Sequence, residues 1–143
     1  MKCCRGAELY GMMFGAAFFG CDRIAVDTGN PAVYLRYIKL LREFFRAKSL
    51  PDAVLSDIQD GDTVTSVLDA VGIDRASVPT HIDRGMIKCQ FCGWSFVKGV
   101  FLSCGTITSP ENSYHLEFLM RDEDSAAQFA AFLEELGTSP RIT

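Results

Sequence analysis

Two nine-residue stretches decide the fold: residues 9–17 read LYGMMFGAA and residues 97–105 read VKGVFLSCG. Both stretches are apolar on nearly every side of a predicted helix, whereas a surface helix keeps one polar face. Small residues four apart let a second helix approach closely, although each glycine costs about 1 kcal/mol of helix propensity. We therefore predict two paired central helices with four glycines for their packing: Gly11, Gly15, Gly99 and Gly105.

The two ends of the chain repeat one order of elements. A shift of 88 residues places Gly11 on Gly99, and a shift of 92 places Glu43 on Glu135. Each copy reads as helix, hairpin, helix, so we predict an α+β fold with pseudo-twofold symmetry and packing through the central helices. The predicted parts are a first half over 1–72, a linker over 73–87 and an incomplete second half over 88–143.

Composition limits the classes of protein. The chain has 143 residues, of which 48% are hydrophobic and 22% charged, which suits one compact domain and excludes disorder. Residues 1–50 hold 8 lysines and arginines against 4 aspartates and glutamates, whereas the remainder holds 6 against 14. The net charge of −4 makes the chain a poor general binder of polyanions, so any contact with DNA needs a local basic face.

One such face lies on the second predicted helix. Asn30 and Pro31 are typical of a helix start, and apolar residues recur at helical spacing from there to about residue 46. The opposite side can be an ordinary solvated face or can contact phosphates. It carries the candidate DNA-contacting residues Arg36, Lys39, Arg42 and Arg46.

Shorter elements follow from local patterns. We predict one short strand at 53–55, a helix that Asp62 caps, and a hairpin of 106–108 with 114–118 around a turn at 109–112. Alternation places Tyr114, Leu116 and Phe118 on one face of that hairpin. A last helix is predicted after Asp124.

The six cysteines do not require a disulfide framework in so apolar a chain. Cys89 and Cys92 form a single CxxC, which is a weak zinc signal by itself. Cys3 and Cys4 could complete four ligands, but adjacent cysteines are poor partners on one tetrahedral ion. We interpret the cysteines as reduced thiols and expect no metal and no cofactor, with zinc as the alternative.

The first residues could suggest a lipoprotein signal, because Lys2 and Arg5 precede an apolar stretch that ends at Cys21. Glu8 inside the stretch argues against that interpretation, as does the recurrence of the pattern in mid-chain. We expect a cytoplasmic protein without a membrane partner.

The two opening stretches resemble the LAGLIDADG motif of homing endonucleases. The resemblance implies paired motif helices, an antiparallel saddle sheet that binds the DNA major groove, and a metal-binding acid at the eighth motif position. Here the eighth positions are Ala16 and Cys104, and the sixth are Phe14 and Leu102. None of these side chains supplies the oxygen ligands of Mg²⁺, so we expect no nuclease activity.

A narrower resemblance is to the bacterial WhiA family. It rests on CCRGAEL at residues 3–9 and on FVKGVFLSCGTITSPENSYHLEF at 96–118, covers most of 1–138 and is weakest over 47–87. The resemblance implies a transcription regulator linked to sporulation and cell division, which joins an inactive LAGLIDADG-like part to a C-terminal helix-turn-helix.

The chain departs from this family pattern at two places. Residues 47–61 are too short for a full second hairpin in the first half, and no helix-turn-helix precedes the last residue, Thr143. We therefore expect an N-terminal fragment or a short relative.

The sequence is compatible with two functions and disfavours a third. The first is a non-enzymatic WhiA-like regulatory domain that contributes some DNA contact. The second is a protein-interaction, dimerisation or sensing module, because an unfinished sheet leaves a free edge. An enzyme is disfavoured because no paired carboxylates occupy motif positions and neither His81 nor His115 has a recognisable nucleophilic partner.

Overall fold

Two central helices organise the molecule. The computed structural model describes residues 1–109 and 114–143. Helix α1 (Lys2–Phe14) packs along helix α5 (Cys92–Cys104), and this is the most extensive contact between elements. The helices run in the same direction, because Cys3 faces Cys89 at one end and Gly15 faces Ser103 at the other.

Glycines permit backbone contact where the central helices meet. A Cβ atom on Gly11 would lie 2.9 Å from the amide nitrogen of Val100, and one on Gly99 would lie 2.8 Å from that of Met12. Any side chain at these positions would force the helices apart. The offset between facing glycines is the 88-residue shift of the repeat.

The other two glycines have different surroundings. A Cβ on Gly15 would lie 3.1 Å from the carbonyl oxygen of Val100, so Gly15 also faces the neighbouring helix. Gly105 differs from its predicted role. Gly105 follows α5 in extended conformation, and a Cβ there would overlap the ring of Phe101, which belongs to α5.

The remaining elements surround this pair. In the first part of the chain they are β1 (Phe18–Phe19), β2 (Ile24–Ala25), α2 (Pro31–Phe44), α3 (Asp52–Ser56), β3 (Asp57–Ile58) and α4 (Gly61–Val71). Two 3₁₀ turns follow, at Arg75–Ser77 and Arg84–Met86. After α5 come β4 (Gly105–Thr108), β5 (His115–Phe118) and α6 (Glu123–Glu135).

The strands form two small antiparallel sheets. In the first sheet β2 lies between β1 and β3, with Ile24 opposite both Phe19 and Ile58. In the second, β4 pairs with β5, and Ile107 lies opposite Leu116. Over the described residues the architecture is therefore α+β with six helices, consistent with a LAGLIDADG-like, homing-endonuclease-like fold.

The core lies between the central helices and the outer ones. Phe96 is its aromatic centre, with ring centroids 5.0 Å from Tyr10 and 5.1 Å from Phe132. The predicted linker contributes too, because Ile82 and Met86 are buried. The Tyr10 hydroxyl joins this segment to α1, because it accepts a 2.8 Å hydrogen bond from the backbone amide of Asp83.

Several local predictions differ from the structure. The strand predicted at 53–55 is the short helix α3, and the strand of that region is β3. The apolar residues there suit either conformation, and burial of Leu55 is compatible with the helix. Asp60 rather than Asp62 caps α4, since its carboxylate accepts a hydrogen bond from the amide of Thr63.

The C-terminal elements also differ in detail. Helix α6 begins at Glu123, capped by Asp122, and not after Asp124. Phe118 packs against Phe101 and Phe129, but the rest of the β5 face is exposed. The turn predicted at 109–112 lies, from residue 110 onward, outside the described residues.

In the described ranges, 1–109 and 114–143, no helix has the length and apolar character needed to cross a membrane.

Candidate nucleic-acid interface and the acid positions of the motif

The acid positions of the motif lie at the C-terminal ends of the central helices and carry no oxygen ligand. Ala16 is buried, and Cys104 is partly buried with its thiol 3.4 Å from the carbonyl oxygen of Val100. Burial raises the pKa of Cys104 to about 11, so the thiol stays protonated at neutral pH. Phe14 is fully buried and Leu102 is partly buried.

A positively charged side chain, that of Arg121, lies at this end of the helices. The Arg121 guanidinium donates to the backbone carbonyl of Phe14, the last residue of α1, and at 2.6 Å to that of Pro79. It also lies 5.4 Å from the ring centroid of Phe14 and 5.5 Å from that of Phe19. Burial lowers the pKa of Arg121, but arginine remains charged in proteins.

Sequence reasoning missed Arg121. It lies just before Asp122, the cap of α6, and no local pattern distinguishes it from other arginines at an element boundary. Its partners come from residues 14, 16 and 79, which only the tertiary fold brings together.

Two of the four candidate DNA-contacting residues are engaged within the protein. Arg36 holds the buried Glu8 carboxylate with bonds of 2.5 and 2.8 Å. Burial alone would raise the pKa of Glu8, but Arg36, with help from Lys98, holds it below its usual value. Arg42 donates 3.0 Å to the Leu50 carbonyl and 2.5 Å to Asp52, and so fixes the turn after α2.

The other two candidates are exposed. Lys39 and Arg46 form no ion pair among the residues that the structure describes. Arg46 lines an open groove of about 570 Å³, which we call the basic groove. Its lining residues are Lys2, Arg5, Arg42, Glu43, Arg46, Ala47 and Lys48.

The basic groove gathers five cations from two distant segments. Arg5 pairs with Glu43 at 2.8 Å, whereas Lys2, Arg46 and Lys48 have no ion pair in the described part of the chain. Sequence reasoning missed Lys2, Arg5 and Lys48 because the groove joins the start of α1 to the end of α2. It lies at the N-terminal end of α1, about 18 Å along the helix from Phe14.

The hairpin β4–β5 is the other candidate contact surface. Its strands are exposed over most of their length, and they include no lysine or arginine. His115 and Glu117 are exposed on β5, and Ile107 and Leu116 form an exposed apolar pair. This surface is suited to an apolar partner more than to phosphates.

The positions of four cysteines differ from what the sequence led us to expect. The adjacent Cys3 and Cys4 were expected to be poor partners on one tetrahedral ion, yet their sulfur atoms and those of Cys89 and Cys92 all lie within 4.8 Å of one another. Cys89 approaches both adjacent cysteines because it lies between their side chains. Among the described residues, this is the one group of three or more metal-binding side chains.

The thiols of this cluster differ in acidity. The backbone amide of Phe91 and the thiol of Cys4 stabilise the Cys89 thiolate and lower its pKa to about 7. Burial and the neighbouring cysteines raise the pKa of Cys3 to about 12. In the absence of a cation, one thiolate therefore suppresses ionisation of the others.

Comparison with known proteins identifies similar sequences. A family model described as the WhiA LAGLIDADG-like domain matches residues 94–143, which contain α5, the exposed hairpin and α6. This part of the chain is thus similar to the WhiA LAGLIDADG-like domain, and the α+β fold is consistent with that similarity. No solved structure gives a significant match.

Curated relatives show similarity over nearly the whole chain. A probable cell division protein WhiA of Desulforudis audaxviator is 26% identical over 99% of this chain and 50% of that protein. One of Clostridium novyi is 29% identical over 95% of this chain and 50% of its own length. By these matches the chain is similar to WhiA proteins. The chain spans about half the length of the curated relatives it matches.

Proposed function

We propose that the chain acts as a catalytically inactive LAGLIDADG-like part of a WhiA-type regulator and contributes a weak, salt-sensitive contact to DNA. The relatives it matches are named probable cell division proteins. The observation that carries the proposal is the guanidinium of Arg121 at the end of the central helices, beside motif positions that have lost their acids.

The absence of nuclease activity follows from the chemistry of that end. Mg²⁺ requires oxygen ligands, which Ala16 and Cys104 do not supply. A divalent cation placed there would also meet the positive charge of the partly buried Arg121, which donates to backbone carbonyls and lies 3.8 Å from the Asp122 carboxylate. The motif helices are retained as packing elements.

The proposed DNA contact uses the basic groove together with Lys39. Lys2, Arg46 and Lys48 are the unpaired groove cations, so we expect contact with about three or four phosphates. Arg36 and Arg42 are excluded from this role because they hold Glu8 and the turn after α2. The net charge of −4 keeps the affinity modest and dependent on low salt.

Binding to duplex DNA at several salt concentrations tests the proposal. We expect fluorescence anisotropy to detect binding at about 50 mM salt that weakens steeply at higher salt. The double variant Arg46→Ala, Lys48→Ala should reduce the slope of log affinity against log salt by about two. The matched control Arg75→Ala removes an exposed cation outside the groove and should leave the slope unchanged.

Failure to bind any duplex at about 50 mM salt would exclude DNA contact by this chain. Metal-dependent cleavage of the duplex by the wild-type chain would overturn the inactive assignment.

A second candidate function is self-association through the β4–β5 hairpin. Ile107 and Leu116 are 60% and 55% exposed and lie opposite each other, and Leu119 follows at 85%. A two-stranded sheet also has both outer edges free to pair. This arrangement favours a second copy of the chain over DNA as the occupant of that surface.

A further inference from the structure

Four cysteines meet at the N-terminal end of the central helix pair. Cys3 and Cys4 lie in the first turn of α1, Cys92 is the first residue of α5, and Cys89 lies three residues before it. Their four sulfur atoms all lie within 4.8 Å of one another. The cluster lies at the opposite end of the helix pair from the motif acid positions, and Cys3 and Cys4 stand in the chain between the groove residues Lys2 and Arg5.

The three sulfur–sulfur distances from Cys89 match those of a tetrahedral site, and all six distances in the cluster are within 4.8 Å. Cys89 lies 3.7 Å from Cys3, 3.5 Å from Cys4 and 3.6 Å from Cys92. Four sulfurs at a Zn–S distance of about 2.3 Å lie about 3.8 Å apart. A disulfide would require a separation of about 2.05 Å, so the cluster has the spacing of metal ligands.

The surroundings also suit a metal. Cys92 is buried, whereas Cys3, Cys4 and Cys89 are partly exposed, which leaves a path for an ion to enter.

We propose that Cys3, Cys4, Cys89 and Cys92 bind one Zn²⁺ ion in a closed tetrathiolate site. All four positions of the ion are filled by the protein, so the site is structural and leaves no place for a substrate. Binding forms four Zn–S bonds, and each thiol that is still protonated releases its proton to the buffer.

The ion would join the two halves of the chain. Cys3 and Cys4 belong to the first helix of the repeat and Cys89 and Cys92 to the second, with more than eighty residues between them. Linking these residues removes conformational freedom from the unfolded chain and so stabilises the packed helices.

Metal titration of the reduced chain, residues 1–143, tests the proposal. With Co²⁺ as the probe, we expect saturation at one ion per chain, sulfur-to-metal charge-transfer absorption and the visible bands of tetrahedral Co²⁺. Added Zn²⁺ should remove these bands and raise the thermal unfolding midpoint. Elemental analysis of the purified protein should find about one zinc per chain when purification avoids chelators.

Serine variants locate the site. Cys3→Ser and Cys89→Ser should each lose the tetrathiolate spectrum and the stabilisation by Zn²⁺. The matched control Cys21→Ser changes an exposed cysteine outside the cluster and should retain both. Circular dichroism before metal addition establishes whether each variant is folded.

Three results would overturn the proposal. The wild-type chain would bind no Co²⁺ through sulfur, or Cys21→Ser would lose binding as completely as Cys89→Ser, or the reduced chain would bind no metal while air oxidation joined Cys89 to Cys3 or Cys4. The first result depends on the wild-type chain alone and decides the matter even where a variant fails to fold.

Discussion

At the scale of single residues, the absence of a side chain is what holds the centre together. Gly11 and Gly99 bring the backbones of α1 and α5 into direct contact. Glycine is a poor helix former, so a helix that keeps it here exchanges helix propensity for close packing. Ser103 adds a hydrogen bond between the helices, because its hydroxyl donates to the carbonyl oxygen of Met12 at 2.5 Å.

Gly99→Ala should destabilise the protein although alanine is the better helix former. The new Cβ would overlap the carbonyl oxygen of Glu8, and backbone cannot move aside as a flexible side chain can. We expect the free energy of unfolding, measured with urea, to fall by about 2 kcal/mol or more.

Gly29→Ala is the matched control, because a Cβ there meets nothing within 4 Å. It should leave the stability unchanged or raise it by less than about 1 kcal/mol. Equal midpoints for Gly99→Ala and the wild-type chain would show that the central helices are not in close contact.

At the scale of elements, two ion pairs join α1 to α2 and differ mainly in burial. The first pair joins Arg36 to Glu8 of α1, and the Glu8 side chain is only 5% exposed. The second pair joins Glu43 to Arg5 of α1, whose side chains are 34% and 44% exposed. The first pair includes a carboxylate withdrawn from water, and the second pair remains hydrated.

Arg36→Met should therefore be much more harmful than Arg5→Met. Removing Arg36 leaves the Glu8 carboxylate buried with only Lys98 nearby, at 3.4 Å, and we expect a loss of about 2–4 kcal/mol near pH 7. Arg5→Met breaks an exposed pair and should cost less than about 1 kcal/mol. Urea unfolding of both variants measures the difference.

The cost of Arg36→Met should also depend on pH. The pKa of Glu8 is held below its ordinary value of 4.5, so its pair stabilises the protein above that value and the contribution is lost as pH falls through the lowered pKa. The stability gap between wild type and Arg36→Met should therefore narrow toward acid pH. A gap that stays constant from pH 7 to about pH 3 would contradict the assignment.

At the scale of the whole molecule, the exposed hairpin predicts concentration-dependent association. Light scattering should give a mass above that of the monomer at high protein concentration. Leu116→Lys should restore the monomer, because a charge on this apolar surface opposes burial. Leu35→Lys, at an exposed leucine of α2, is the control. A strict monomer at every concentration would exclude self-association.

The sequence predicted the overall arrangement better than the sites. Glycine spacing and the 88-residue repeat indicated paired central helices, because close packing leaves its mark on local composition. The engagement of Arg36 by Glu8 was not predictable, since the two residues lie 28 positions apart. The cysteine cluster depends likewise on where Cys89 lies between the two helices, which neighbouring residues do not determine.

The α3 region was mispredicted for another reason. A run of five residues satisfies helix and strand patterns equally, and packing of Leu55 accompanies the observed helix. Arg121 shows a related limit, because its role comes from carbonyl groups of two distant segments, residues 14–16 and Pro79.

The shared direction of the central helices has an electrical consequence. Each helix carries a macrodipole equivalent to about half a positive charge at its first turn and half a negative charge at its last. Two helices side by side in the same sense add these fields instead of cancelling them. The molecule therefore has a positive pole, where the sulfur ligands Cys3, Cys4, Cys89 and Cys92 gather, and a negative pole, where the cation of Arg121 lies.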